Sequence, residues 1–106
     1  MEYESVRRTL RYFLVVDIEV TDTNLEIQIR AQTKTLSMCG CGADTSMDFP
    51  KGTSVRVKLS HRGAEVTVLG RVVYSGSELG MGVAFTSLAG EDARILECWI
   101  EESVSQ

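Results

Sequence analysis

Three of the eleven basic residues, Arg7, Arg8 and Arg11, lie within five positions near the start of the chain. A guanidinium presents planar, forked donors that suit bidentate contacts with phosphate oxygens or with O6 and N7 of guanine, and it stacks on flat rings. Three of them on one short segment read either as a small anionic site or as a solvated basic entry to the first strand. The other candidates for chemistry are thinner. His61 is the single histidine and stands beside Arg62-Gly63 at an expected hairpin tip, where a solvated turn residue is expected. No Ser, His, Asp set has the spacing that a nucleophile, its base and an orienting group require, so no enzyme is expected. Cys39 and Cys41 are soft metal ligands by type, but a Cys-x-Cys pair lacks the usual two-to-four residue gap. A four-ligand site would have to draw His61 and Cys98 from distant segments, so neither metal nor other cofactor is expected. One cysteine of the pair is expected to pack inward and the other to sit in a glycine-rich turn. Gly40 and Gly42, like Gly80 and Gly82, precede no helical pattern, which argues against a phosphate-cradling dinucleotide loop.

The elements that would position these groups follow from composition and period. A chain of 106 residues holds one domain with one core. Eleven basic against fifteen acidic residues leave a net charge of −4, which argues against a DNA or RNA binder. Glu91, Asp92, Glu97, Glu101 and Glu102 load the C-terminal end and read as a solvated helix face. No apolar run approaches the roughly 20 residues of a membrane span, and the start, Met-Glu-Tyr-Glu, resembles no secretory signal. A cytoplasmic protein with no membrane partner is expected. Three cysteines, an odd number, fit reduced thiols.

Val, Thr and Ile make up 26 of the 106 residues, a bias toward pleated, half-buried surfaces. Leu25, Ile27, Ile29, Ala31 and Thr33 alternate with polar neighbours, as do Val16, Ile18 and Val20, and Asp22-Thr23-Asn24 between them supplies turn formers. These runs predict an antiparallel hairpin. Pro50 with Lys51-Gly52 predicts a turn into a strand carrying Val55, Val57 and Leu59. His61-Arg62-Gly63 then turns the chain into a strand with Val66, Val68, Val72 and Tyr74, in which Gly70 marks a bulge. After a Ser75-Gly76-Ser77-Glu78 turn, Met81 to Thr86 forms a short final strand. Only the tail changes period: Asp92, Ile95, Leu96, Trp99 and Ile100 share one face of a helix predicted at about 90–102, packed on the sheet through Trp99. Six short strands and a terminal helix suit a small all-β barrel, whose closure removes aggregation-prone edges.

The pair of motifs Arg7-x-x-x-Arg11 and Thr35-x-Ser37-x-x-Gly40 resembles the PilZ domain family, whose pattern is R-x-x-x-R followed by D/N-x-S-x-x-G. The resemblance runs over roughly 7 to 100. Lys51-Gly52-Thr53 looks like the family's turn into a middle strand, Gly70-Arg71-Val72-Val73 like its G-R-V-V strand, and Gly80 to Phe85 like its closing G-x-G-V-x-F strand. It implies a six-stranded antiparallel β-barrel with one C-terminal α-helix that binds the bacterial second messenger cyclic di-GMP. By the same resemblance, residues 1–11 form a flexible arginine-rich segment, about 12–87 the barrel and about 90–102 the helix. Arg7 and Arg11 match the arginines that clasp the ligand's guanines and phosphates, with Arg8 as a helper. Ser37 matches the motif serine, and Gly40 the turn glycine that lets backbone approach closely.

Position 35 departs from the pattern, because Thr35 stands where the family has Asp or Asn. A carboxylate or amide oxygen there accepts from the N1 and N2 hydrogens of guanine. Threonine offers one shorter hydroxyl, and a hydrogen bond of this kind, lost with a partner left unsatisfied, costs roughly 1–3 kcal/mol. Two functions follow from the resemblance. In one, cyclic di-GMP orders the N-terminal segment on the barrel and the module signals to a separate effector protein. In the other, the fold is a protein-interaction module that does not bind nucleotide.

Overall fold

The computed structural model describes residues 10–45, 47–76 and 80–104. Seven strands precede a single helix: β1 (Tyr12–Phe13), β2 (Asp17–Asp22), β3 (Gln28–Leu36), β4 (Gly40–Asp44), β5 (Ser54–His61), β6 (Ala64–Gly76), β7 (Gly80–Ser87) and α1 (Gly90–Val104). Six of them close a barrel in the order β3, β2, β5, β6, β7, β4 and back to β3, every pairing antiparallel. The seventh, β1, pairs with the end of β3 on the side that β2 occupies. The expected six-stranded barrel and C-terminal helix are therefore present, with one extra strand.

The alternating apolar runs fill the barrel. Val20, Val57, Leu59 and Val66 have no measurable exposure, and Leu36, Met81 and Leu96 join them from β3, β7 and α1. The acidic first turn of α1, Glu91 and Asp92, suits the positive end of its dipole. Trp99 and Ile100 bury the inner helix face against β6 and β1. The helix runs two residues beyond the predicted end, within the usual uncertainty of such boundaries.

Several expectations need correction. Leu25 and Ile27 are 68% and 52% exposed, because the chain is still turning there and β3 begins only at Gln28. The turn itself is held by Asp22, whose Oδ1 accepts from the backbone N–H groups of Asn24 and Leu25. The glycine-rich stretch after Ser37 is a turn only as far as Cys39, and Gly40–Asp44 is the barrel strand that closes on β7. His61 is half-buried rather than solvated, its ring edge-on to Trp99 at 5.4 Å between centroids and 82° between planes. The tip beside it is a two-residue turn with positive φ at Arg62 and Gly63, as the twist of a hairpin favours.

Four irregularities shape the wall. Between β1 and β2 the chain leaves the ladder at Leu14, and Thr33 spans the break: its hydroxyl accepts from the Val16 N–H at 2.8 Å and donates to the Leu14 carbonyl at 2.6 Å. The register of β3 against β4 shifts between Thr33 and Thr35. The register of β6 against β7 shifts at Gly70, as expected there, and again between Val72 and Tyr74. A bulge places two consecutive side chains on one face and reverses the alternation beyond it.

Candidate functional site

The shifts after Thr33 and after Val72 put an outward-facing row of five residues side by side on five strands. Phe13 of β1 pairs with Thr35 of β3, Thr35 with Gly42 of β4, Gly42 with Gly82 of β7, and Gly82 with Tyr74 of β6. Their neighbours Cys41, Met81 and Val83 face the core, so the row lies on the outer wall. Phe13 is 84% exposed. The two glycines leave the middle of the row floored by backbone, and the side chains around it lean over that floor. The point where a Cβ on Gly42 would stand is 2.9 Å from Thr35 Oγ1, 2.9 Å from the Tyr74 hydroxyl oxygen and 3.8 Å from Arg11 Nη1. The Tyr74 ring lies over Gly82, where a Cβ would meet its carbon atoms.

This spot has the chemistry for a polar, electron-rich ligand edge. Two hydroxyls, each able to donate and to accept, converge on it with a fixed cation beside them. Among the described residues neither hydroxyl has a hydrogen-bond partner, and Arg11 makes no ion pair. The Arg11 charge also reaches the Cys41 thiol beneath the wall. Burial nevertheless pushes that thiol up to about 12 from 9.0, the arginine opposing the shift only in part.

Ser37 is used differently. It is 2% exposed, and its hydroxyl oxygen accepts from the N–H groups of Cys39 and Gly40, both at 3.1 Å, while donating to the Gly40 carbonyl. That network fixes the turn between β3 and β4, and with it the register that sets Thr35 opposite Gly42. Gly40 is required for closure of the barrel, since a Cβ there would collide with the carbonyl oxygen of Val83. Its backbone does make a close approach, to β7. Of the sequence-predicted site residues, the structure thus brings Arg11 and Thr35 together at the surface and places Ser37 and Gly40 beneath them as supports. Arg7 and Arg8 lie outside the described residues.

Cys41 is buried in β4 and Cys39 is exposed in the turn before it, the arrangement expected of the pair. Among the described residues no group of three or more His, Cys, Asp or Glu is placed to hold a metal ion, and no helix is long and apolar enough to cross a membrane.

A family model described as the PilZ domain matches residues 5–102, nearly the whole chain. The chain belongs to the PilZ domain family. PilZ domains are receptor and adaptor modules, generally not enzymes. A comparison with curated proteins finds no match. Among solved structures, the Bacillus subtilis inhibitor of motility MotI/DgrA is similar, with a TM-score of 0.72 at 17% identity over 94% of this chain. This PilZ chain spans 52% of that protein's length. The PilZ domain of CeSA from a cellulose-synthesizing bacterium is similar over 92% of this chain and 97% of its own, with a TM-score of 0.66 at 19% identity. At these identities the likeness is one of fold. The outer-wall row is thus a feature of a PilZ barrel, and Phe13, Gly42, Tyr74 and Gly82 are the members of it that the motif alone did not single out. The faint signal for them was two G-x-G pairs on strands with an aromatic nearby.

Proposed function

We propose that this PilZ domain is a cyclic di-GMP receptor module, which draws its N-terminal arginine segment onto the outer wall and signals to a separate effector protein. The observation that carries the reading is the convergence of Arg11 and Thr35 on the glycine floor. Arg11 is one of the two motif arginines, and its guanidinium stands beside the Thr35 and Tyr74 hydroxyls over Gly42, with no ion-pair partner among the described residues. Arg7 and Arg8 precede it by four and three positions in the sequence, and the family pattern pairs Arg7 with it. Ser37 and Gly40 support the wall from below by fixing the β3–β4 turn. The effector is a protein in this reading, and control of motility is one process compatible with it, on the likeness to the motility inhibitor.

Titration calorimetry with cyclic di-GMP tests the proposal. Saturable binding, weakened at least tenfold in Arg11→Ala, supports it, since the substitution removes a charge-assisted fork from a dianionic ligand. One observation favours the second reading, a PilZ interaction module without nucleotide: Thr35 supplies a single hydroxyl where the family pattern has a forked acceptor. Absence of binding by the wild type selects that reading.

A further inference from the structure

Resting on the receptor reading, we propose that Tyr74 is a ligand-contacting, specificity-determining residue: its hydroxyl and that of Thr35 together face the guanine edge and replace the missing forked acceptor. Guanine presents two neighbouring donors, N1–H and N2–H, and a single threonine hydroxyl can accept from only one. The second acceptor is present on the wall. The Tyr74 oxygen and Thr35 Oγ1 stand at equal distance, 2.9 Å, from the same point above Gly42, and neither is engaged elsewhere among the described residues. They are therefore two acceptors on one spot, supplied by strands β3 and β6 on either side of β4 and β7.

Tyr74 is held there for identifiable reasons. The register shift after Val72 turns residue 74 outward, whereas unbroken alternation from Val66 through Val72 would send it into the core. Gly82 directly opposite leaves room for the ring to lie across the wall, and Gly42 leaves room for its hydroxyl. One face of the ring rests on Gly82, and the ring adds a flat surface of the kind on which bases stack. Arg11 beside the pair supplies the charge that holds the rest of the nucleotide.

The test is calorimetric titration of wild type, Tyr74→Phe and Gly42→Ala with cyclic di-GMP and with cyclic di-AMP, beside thermal melting of each. Tyr74→Phe keeps the ring and removes one acceptor, so cyclic di-GMP binding is expected to weaken about five- to tenfold. Cyclic di-AMP lacks the N1–H and N2–H donors and should be little affected, so selectivity falls by the same factor. Gly42→Ala places a methyl on the shared spot, where the Thr35 and Tyr74 oxygens must give way, and should weaken cyclic di-GMP further. Wild-type binding of cyclic di-GMP that is undiminished in Tyr74→Phe, or reduced equally for both nucleotides, overturns this assignment and leaves the receptor reading standing. No binding by the wild type overturns both.

Discussion

In the receptor reading affinity is expected to turn on Arg11 and Thr35, since the one brings the charge and the other stands where the family pattern has a forked acceptor. Thr35→Asp or Thr35→Asn supplies a forked acceptor at the same place and should tighten cyclic di-GMP binding by about 1–2 kcal/mol, roughly five- to thirtyfold. Asp should gain more than Asn, since Arg11 beside it favours the ionised form. Matched titrations decide this. No gain in either variant at an unchanged melting temperature would mean that Thr35 does not face the nucleotide. Cys41 carries a different expectation. Its pKa of about 12 in the folded chain against 9.0 unfolded means that the native state keeps the thiol proton when the unfolded state has lost it. Its contribution to stability is thus complete below pH 9 and is lost as pH rises toward 12, by roughly tenfold in the folding equilibrium per unit. Urea unfolding across that range should show a steeper loss in the wild type than in Cys41→Ala. At pH 8 a thiol reagent should label Cys39 and Cys98 and leave Cys41 unlabelled in the native protein; equal labelling of all three would contradict the burial.

At the scale of the elements, the site depends on interruptions in the strands more than on the strands themselves. Thr33 joins β1 to β2 through a hydroxyl with 2% exposure around it. Thr33→Val keeps the shape and leaves the Val16 N–H without an acceptor, which should destabilise the fold by about 1–3 kcal/mol, with Thr33→Ser losing less. Urea midpoints for the pair check this, and equal loss in both would assign the effect to packing. The same interruptions explain what could be read from sequence. Val16 to Val20, Val55 to Leu59 and the tail with Trp99 were legible because period alone decides which face a regular strand or helix buries. The motif likewise pointed to Arg11 and Thr35. Alternation from Ile29 through Thr33 would put Thr35 in the core, and alternation from Val66 through Val72 would do the same for Tyr74; only the bulges turn both outward. A bulge leaves little trace in a single sequence. Gly70 betrayed one, but the shift after Val72 has no glycine to mark it. The strand Gly40–Asp44 was hidden for the opposite reason: its glycines read as turn formers, and their use as a close-approach surface against β7 appears only once the partner strand is in place.

Across the whole molecule, charge is divided by position. The arginine cluster lies at the N-terminal end of the chain, and the row near Arg11 holds no charged side chain, while α1 carries five carboxylates against the single Arg94. An anionic nucleotide is therefore drawn to one end of the chain, and its binding should weaken as salt screens the arginines. The barrel itself is closed and its core is filled by the inward-facing side chains of its strands, whereas Thr35 and Tyr74 lie on the outer wall, so substitutions of these two should alter affinity without unfolding the domain. The central claim, that this PilZ domain receives cyclic di-GMP through its arginine segment and outer wall, is tested most directly by calorimetric titration of the wild-type chain beside Arg11→Ala at two salt concentrations. A saturable isotherm, weaker at the higher salt and at least tenfold weaker in Arg11→Ala, is the predicted result. The absence of heat and of NMR shifts in the wild type at ligand concentrations on the order of hundreds of micromolar would contradict it.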